Sequence, residues 1–272
     1  MGPLQLFFLL ILTVSYAVLQ CLFTPSPNSS FRSQEPKPTF ALDYNFARKK
    51  AGSASAKSVA HIWELGGDIN EPRLLDVPIT AYNLTTTSIV IVCDLSKPQN
   101  CLSSLLKWLK RVREVVDRRV KDLASTDSGA AAALRETANA PYRTHSKDSS
   151  RVRPCEVSLY IVANKYDKFR DQSLSDRRCL MQVLRFVAHY YGATLITTSN
   201  VDATLKDSFR ASMTGICFRT TAKPVCEVAL EKPVTVSVGR DDFESILLAT
   251  SRSAGATAAA EGKASYVDRP VW

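Results

Sequence analysis

Apolar positions along this chain fall into short unbroken runs separated by longer amphipathic stretches. Ser58–Leu65 (SVAHIWEL) and Ser88–Leu95 (SIVIVCDL) predict strands, the second a nearly continuous β-branched run of the kind a parallel sheet buries on both faces. Between Leu102 and Leu123 the apolar residues step by three and four, which predicts a helix with one greasy stripe. Val157–Ala163 predicts a further strand. Ser173–Tyr191 predicts a helix capped by Ser173 or Ser175 and closed by Gly192. Thr194–Thr198 predicts a strand, Val201–Ile216 a helix begun near Asn200 or Asp202, and Pro233–Val238 a last short strand. Residues 125–154 are aperiodic and read as an inserted loop with one short helix, and Ala249–Lys263 as a loose low-complexity tail.

Strands alternating with helices of this length imply βαβ crossovers and a three-layer α/β fold around a mostly parallel sheet. The organisation expected is an apolar segment over 1–35, one domain over 36–245 and a tail over 246–272. Ligands of such sheets sit beyond the carboxyl ends of the strands, here Glu64–Gly67, Asp94–Pro98, Asn164–Asp167 and Ser199–Asn200.

The first segment complicates that picture. Met1 to Phe31 holds no charged side chain, and Leu4–Phe23 has the length needed to cross about 30 Å of hydrocarbon. It has no basic leader and no convincing cleavage site, so three readings stand: a signal anchor, a strand supplied from within Leu6–Leu22, and a start that is not the natural one, which is preferred. If it inserts, the basic residues that follow it would keep the rest of the chain in the cytosol, with the sequons at Asn28 and Asn83 unused.

The 272 residues carry 45% apolar and 22% charged side chains, which excludes fibrous, disordered and many-span classes. A net charge of +9 permits acidic partners, but Lys107–Lys121 holds seven basic residues against Glu114 and Asp117. That localisation speaks against nucleic acid and for either a solvated helix face or a surface for an acidic partner. Seven scattered Cys and three scattered His offer no metal spacing and fit a reduced, cytosolic compartment.

Asn164-Lys165-Tyr166-Asp167 follows a buried strand and has the N-K-x-D form with which GTPases read guanine. The carboxylate of Asp167 would accept from the base, the stem of Lys165 would cover it, and Asn164 would tie neighbouring loops. Ser199, one βα unit later, would back the base. Glu64-Leu65-Gly66-Gly67 has the outline of a D-x-x-G turn, with Gly67 toward a γ-phosphate, and Thr39 stands where a switch threonine would meet Mg²⁺. The G-x-x-x-x-G-K-[ST] cradle is absent. Ala51–Ser58 (AGSASAKS) is its nearest match, without either glycine and ahead of a strand instead of behind one. The expectation is therefore no bound cofactor, GTP or GDP being the ligand that the remaining residues would suit. No catalytic constellation suggests itself, and His61 and His189 read as structural.

Pro38–Tyr44 (PTFALDY), Val59–Gly67 (VAHIWELGG), Val92–Pro98 (VCDLSKP) and above all Leu184–Ala193 (LRFVAHYYGA) resemble the dynein light intermediate chains, in their dynein-2 branch, over roughly Pro36 to Phe243. The resemblance implies a Ras-like, P-loop GTPase-like domain, degenerate or truncated at the P-loop end, serving as a non-catalytic subunit. Its partners would be the dynein-2 heavy chain, other dynein-2 subunits and intraflagellar-transport components, with microtubules reached indirectly. It would work in the cytoplasm, on the cytoskeleton and in the cilium or flagellum, at axoneme and basal body. The alternatives are a membrane-anchored protein reusing the fold and an active small GTPase.

Overall fold

The computed structural model describes residues 5–13, 39, 41–50, 57–66, 72–143, 147–220 and 223–248. Eight strands form one sheet in the order β2-β3-β1-β4-β5-β6-β8-β7. They are β1 (Gln5–Thr13), β2 (Leu42–Lys50), β3 (Lys57–Gly66), β4 (Thr87–Asp94), β5 (Ser158–Asn164), β6 (Ala193–Thr197), β7 (Cys226–Glu227) and β8 (Thr235–Val236). The core of the sheet, β3-β1-β4-β5-β6, is parallel; β2 closes one edge antiparallel, and the β7–β8 ribbon the other.

The apolar beginning of the chain enters the centre of this sheet. Gln5 pairs Ser58 on one side and Phe8 pairs Thr87 on the other. Because successive side chains alternate, Leu10 and Leu12 enter one core and Ile11 the other, all at or below 1% exposure. Of the three readings of that run, residues 5–13 take the strand.

Two layers of helix cover the sheet. Helices α1 (Pro98–Thr126) and α4 (Leu174–Tyr191) bury Leu105, Leu109, Val116 and Leu184 on the face of Leu10. Helix α5 (Ala203–Phe218) lies over β1 and β3 on the other face, with Phe209 and Met213 against Ile11, Val90 and Val162. The expected caps form: Ser173 Oγ accepts from Asp176 N, Asp202 Oδ1 from Leu205 N, and Gly192 closes α4 at φ 68°. A side chain at Gly192 would also strike Pro154, so that position requires glycine twice over.

One expectation changes. The inserted loop contains the 16-residue helix α2 (Ser128–Arg143), packed on α1 through buried Ala131 and Leu134. Its alanine run carries high helix propensity, and the helix sets Ala131 and Leu134 into the core. The basic face of α1 is largely paired within the chain: Arg118 and Arg119 reach Asp76 at 2.5 and 2.9 Å, Arg111 reaches Glu114, and Arg113 reaches Asp117. The four arginines thus have partners within the chain, while Lys107, Lys110 and Lys121 leave both readings of that face open. The tail from 249, Gly67 and most of Ala51–Ser58 lie outside the described residues.

A strap over 238–246 is held down by buried charge. Asp241 takes a two-pronged bond from Arg185 of α4, both at 2.8 Å. Asp148 accepts from Phe243 N and lies 3.2 Å from His189 Nε2, while Tyr142 and Phe243 pack edge-on against the imidazole. His189 thus has the structural place expected of it.

Candidate functional site

The carboxyl ends of β4, β5 and β6 bring four sequence-selected residues together. Asn164 ends β5 fully buried, and its Oδ1 accepts from Lys165 N at 2.8 Å. Lys165 adopts φ 65°, a left-handed backbone that a residue with a Cβ rarely takes. That turn starts the short helix α3 (Tyr166–Phe169), carrying Asp167, whose Oδ1 accepts from Ser199 Oγ at 2.5 Å. Tyr166 N donates to Thr198 O and Thr198 N to Ala163 O, locking the β6 loop against the β5 loop.

The lysine is engaged elsewhere. Lys165 Nζ donates to Asp94 Oδ2 at 2.6 Å, and Ser96 N and Oγ donate to Oδ1 of the same carboxylate. Burial pushes the Asp94 carboxyl up, but these bonds outweigh it and hold the group below the usual carboxylate range. Beneath them, Asn164 Nδ2, Thr197 Oγ1 and Thr198 Oγ1 are buried without a hydrogen-bond partner. Asp167, the residue that would accept from a base, is already engaged by Ser199.

The phosphate half does not fit. With β1 placed between β3 and β4, a phosphate cradle would begin just after Thr13, and the sequence holds neither glycine nor lysine from Val14 to Pro36. The glycines and the lysine with which such a cradle holds a triphosphate are thus missing from that stretch of sequence. The two residues suggested for the metal end instead bond to each other, Thr39 Oγ1 donating to Glu64 Oε2 at 3.1 Å. Gly66 permits this closure, because a Cβ there would lie 2.1 Å from Thr39 O.

Glu64 is 4% exposed, and burial pushes its carboxyl above the ordinary value, a shift that the Thr39 bond moderates and Asp43 reinforces. A carboxyl raised on folding costs stability once the pH passes its unfolded value, and the full cost is felt above the folded one. Glu64→Gln keeps an acceptor for Thr39 and removes that cost. The variant should melt above the parent at pH 7, the sign that a carboxyl raised on folding requires. The gap should close as the pH is lowered to about 4, as differential scanning calorimetry across pH will show.

A second surface was not singled out in the sequence. On the edge strands, Tyr44 and Phe46 of β2 are 43% and 49% exposed and stand beside Trp63 and His61 of β3. Tyr44 leans on Trp63 at 4.8 Å and its hydroxyl lies 2.8 Å from His61 Nδ1; the imidazole in turn stacks on Phe8 of β1 at 5.1 Å. Arg48 covers the Phe46 ring at 4.8 Å. Aromatic and arginine side chains gathered on an open sheet face have the composition of a protein-binding hot spot. The signal available was period-2 spacing on both strands, Tyr44/Phe46 and His61/Trp63.

A family model described as dynein light intermediate chain (DLIC) matches residues 33–129. Cytoplasmic dynein 2 light intermediate chain 1 of Mus musculus is 36% identical over 213 residues, covering 78% of this chain and 60% of the relative. Its Homo sapiens counterpart is 35% identical over 216 residues, 79% and 61%. Cytoplasmic dynein 1 light intermediate chain 1 of Mus musculus matches over 85 residues only, at 33%. The chain spans about three fifths of the length of the dynein 2 relatives. The crystal structure of a dynein light intermediate chain's conserved domain superposes with a TM-score of 0.61 at 19% identity, over 90% of this chain and 86% of that one. The fold is the same.

Proposed function

Because the chain belongs to the dynein light intermediate chain family, we propose that it is a non-catalytic accessory subunit of the cytoplasmic dynein-2 motor, docked on the heavy chain and supporting retrograde intraflagellar transport and cilium assembly. The observation that carries this reading beyond similarity is the aromatic face of β2 and β3. It presents Tyr44, Phe46 and Trp63 on a rigid sheet, so little side-chain freedom is lost when a partner covers them. Nothing in the reading needs nucleotide turnover: the base-side residues serve as internal ties between loops, and the phosphate side lacks the groups that would hold a triphosphate. Among the described residues no helix is long and apolar enough to cross a membrane.

The test is capture of the dynein-2 heavy chain tail by the tagged full chain. Tyr44→Ala with Phe46→Glu is expected to weaken capture by about tenfold or more, since central aromatic truncations at interfaces cost about 2 kcal/mol or more. Both side chains are half exposed, so the urea midpoint should hardly move. Undiminished capture by this double variant would remove the aromatic face from the account, and no capture by the parent would remove the motor-subunit reading itself.

A further inference from the structure

A groove of about 920 Å³ opens at the amino ends of β5 and β6, the opposite end of the sheet from Asn164 and Ser199 and the opposite face from Tyr44. It lies along α5, beyond the point where Phe209 and Met213 of that helix cover Val90 and Val162. Its floor is Tyr160 of β5 with Thr194 and Ile196 of β6. One wall is the small-residue side of α5, at Ala211, Ser212 and Gly215, and the other is the segment from Lys223 to Val225 with the end of β8.

The charge of this groove is one-sided. Arg219, Lys223 and Arg240 line it and no carboxylate does, among the described residues. Neither Lys223 nor Arg240 has an acidic partner there, in contrast to the paired arginines of α1. Arg219 is fixed in place: it caps α5 at φ 47°, and its guanidinium donates to Thr85 O and Thr87 O at the start of β4. Burial pulls its pKa down, so an anion beside it would relieve an unfavourable position.

We propose that this groove is a docking site for an acidic, amphipathic segment of a partner protein, whose apolar side chains rest on Tyr160 and Ile196 and whose carboxylates meet Arg219, Lys223 and Arg240. A second copy of this chain is a poor occupant, since each carries +9 and would bring like charge to the groove. The site goes beyond the docking surface assigned to the heavy chain, because it lies on another face and the opposite half of the sheet.

The probe is a fluorescein-labelled 16-residue peptide with Leu at helical spacing and Glu elsewhere, titrated against the full chain by anisotropy. Its twin carries Gln for every Glu. The Glu peptide should bind saturably and the twin about tenfold more weakly, with a similar loss in the variant Lys223→Glu/Arg240→Glu. Ser212→Trp, which fills the groove without changing charge, should also block binding. Hydrogen exchange should slow within 211–220 and 223–240 when the Glu peptide is present, with the urea midpoints of the variants close to the parent's. Equal binding of the two peptides, indifference to both variants, or protection at 107–121 instead would overturn the proposal. So would co-sedimentation with phosphatidylserine vesicles that depends on Lys223 and Arg240 while the peptide fails to bind, since the groove would then serve a lipid surface.

Discussion

Replacing Ile11 by Ala is expected to lower the stability of the protein to urea by about 2–5 kcal/mol, the range for emptying a fully buried aliphatic site. Ile11 has no exposed surface and packs with Val90, Val162 and Met213 between the sheet and α5. Leu12, also fully buried but on the other face, should cost a similar amount, and Ile11→Asp should abolish folding, because an unpaired carboxylate at the centre of a sheet has no compensating partner. The expectation discriminates sharply. If these residues served as a membrane anchor outside the domain, neither alanine variant would shift the urea midpoint of the soluble fold.

The second large effect is expected at the strap. Asp241→Ala strands the Arg185 guanidinium, whose side chain is 8% exposed and whose two bonds to Asp241 vanish together. Removing one partner of a buried pair costs about 3–5 kcal/mol, because a charge is left without compensation. The paired replacement Arg185→Met/Asp241→Leu should recover most of that loss, since it removes both desolvation costs at once. Urea melts of the single and double variants measure the difference. A single variant within about 0.5 kcal/mol of the parent would mean that water reaches Arg185 when the aspartate is gone.

The fold was legible wherever burial imposed a period. The strands β3 to β6 and the helices α1, α4 and α5 lie within a few residues of their predicted bounds, and the caps at Ser173, Asp202 and Gly192 form as their side-chain chemistry requires. What escaped did so for physical reasons. β2 is an edge strand exposed on both faces, at the neighbours Asp43 and Tyr44 and again at Arg48 and Lys49, so it lacks a clean alternation. β7 has two residues, too few for any period, whereas β8 lies inside the short strand expected over Pro233–Val238. β1 was ambiguous because a strand buried on both faces and a hydrocarbon span present the same apolar run.

The site was legible to the extent that it was local in sequence. Asn164, Lys165 and Asp167 come from one turn, and Ser199 sits where the next βα unit puts it, 2.5 Å from Asp167. The bond from Lys165 to Asp94 joins strand ends remote in sequence, and no motif encodes it. The aromatic face is a property of two neighbouring strands and emerges only once their register sets Tyr44 opposite Trp63 and Phe46 opposite His61.

The place of β1 in the strand order bears on how the chain is made. Its nine residues precede both of their partners in the chain, around Ser58 and Thr87, and are therefore synthesised before either. Until β4 has emerged, that apolar strand can only wait unpaired, and the pairing that completes the sheet closes long loops on both sides of it. For that interval the nascent protein displays an apolar strand not yet covered by its neighbours, the kind of surface that chaperones bind. Slowing synthesis between β1 and β4 would lengthen that exposure without altering a single native contact.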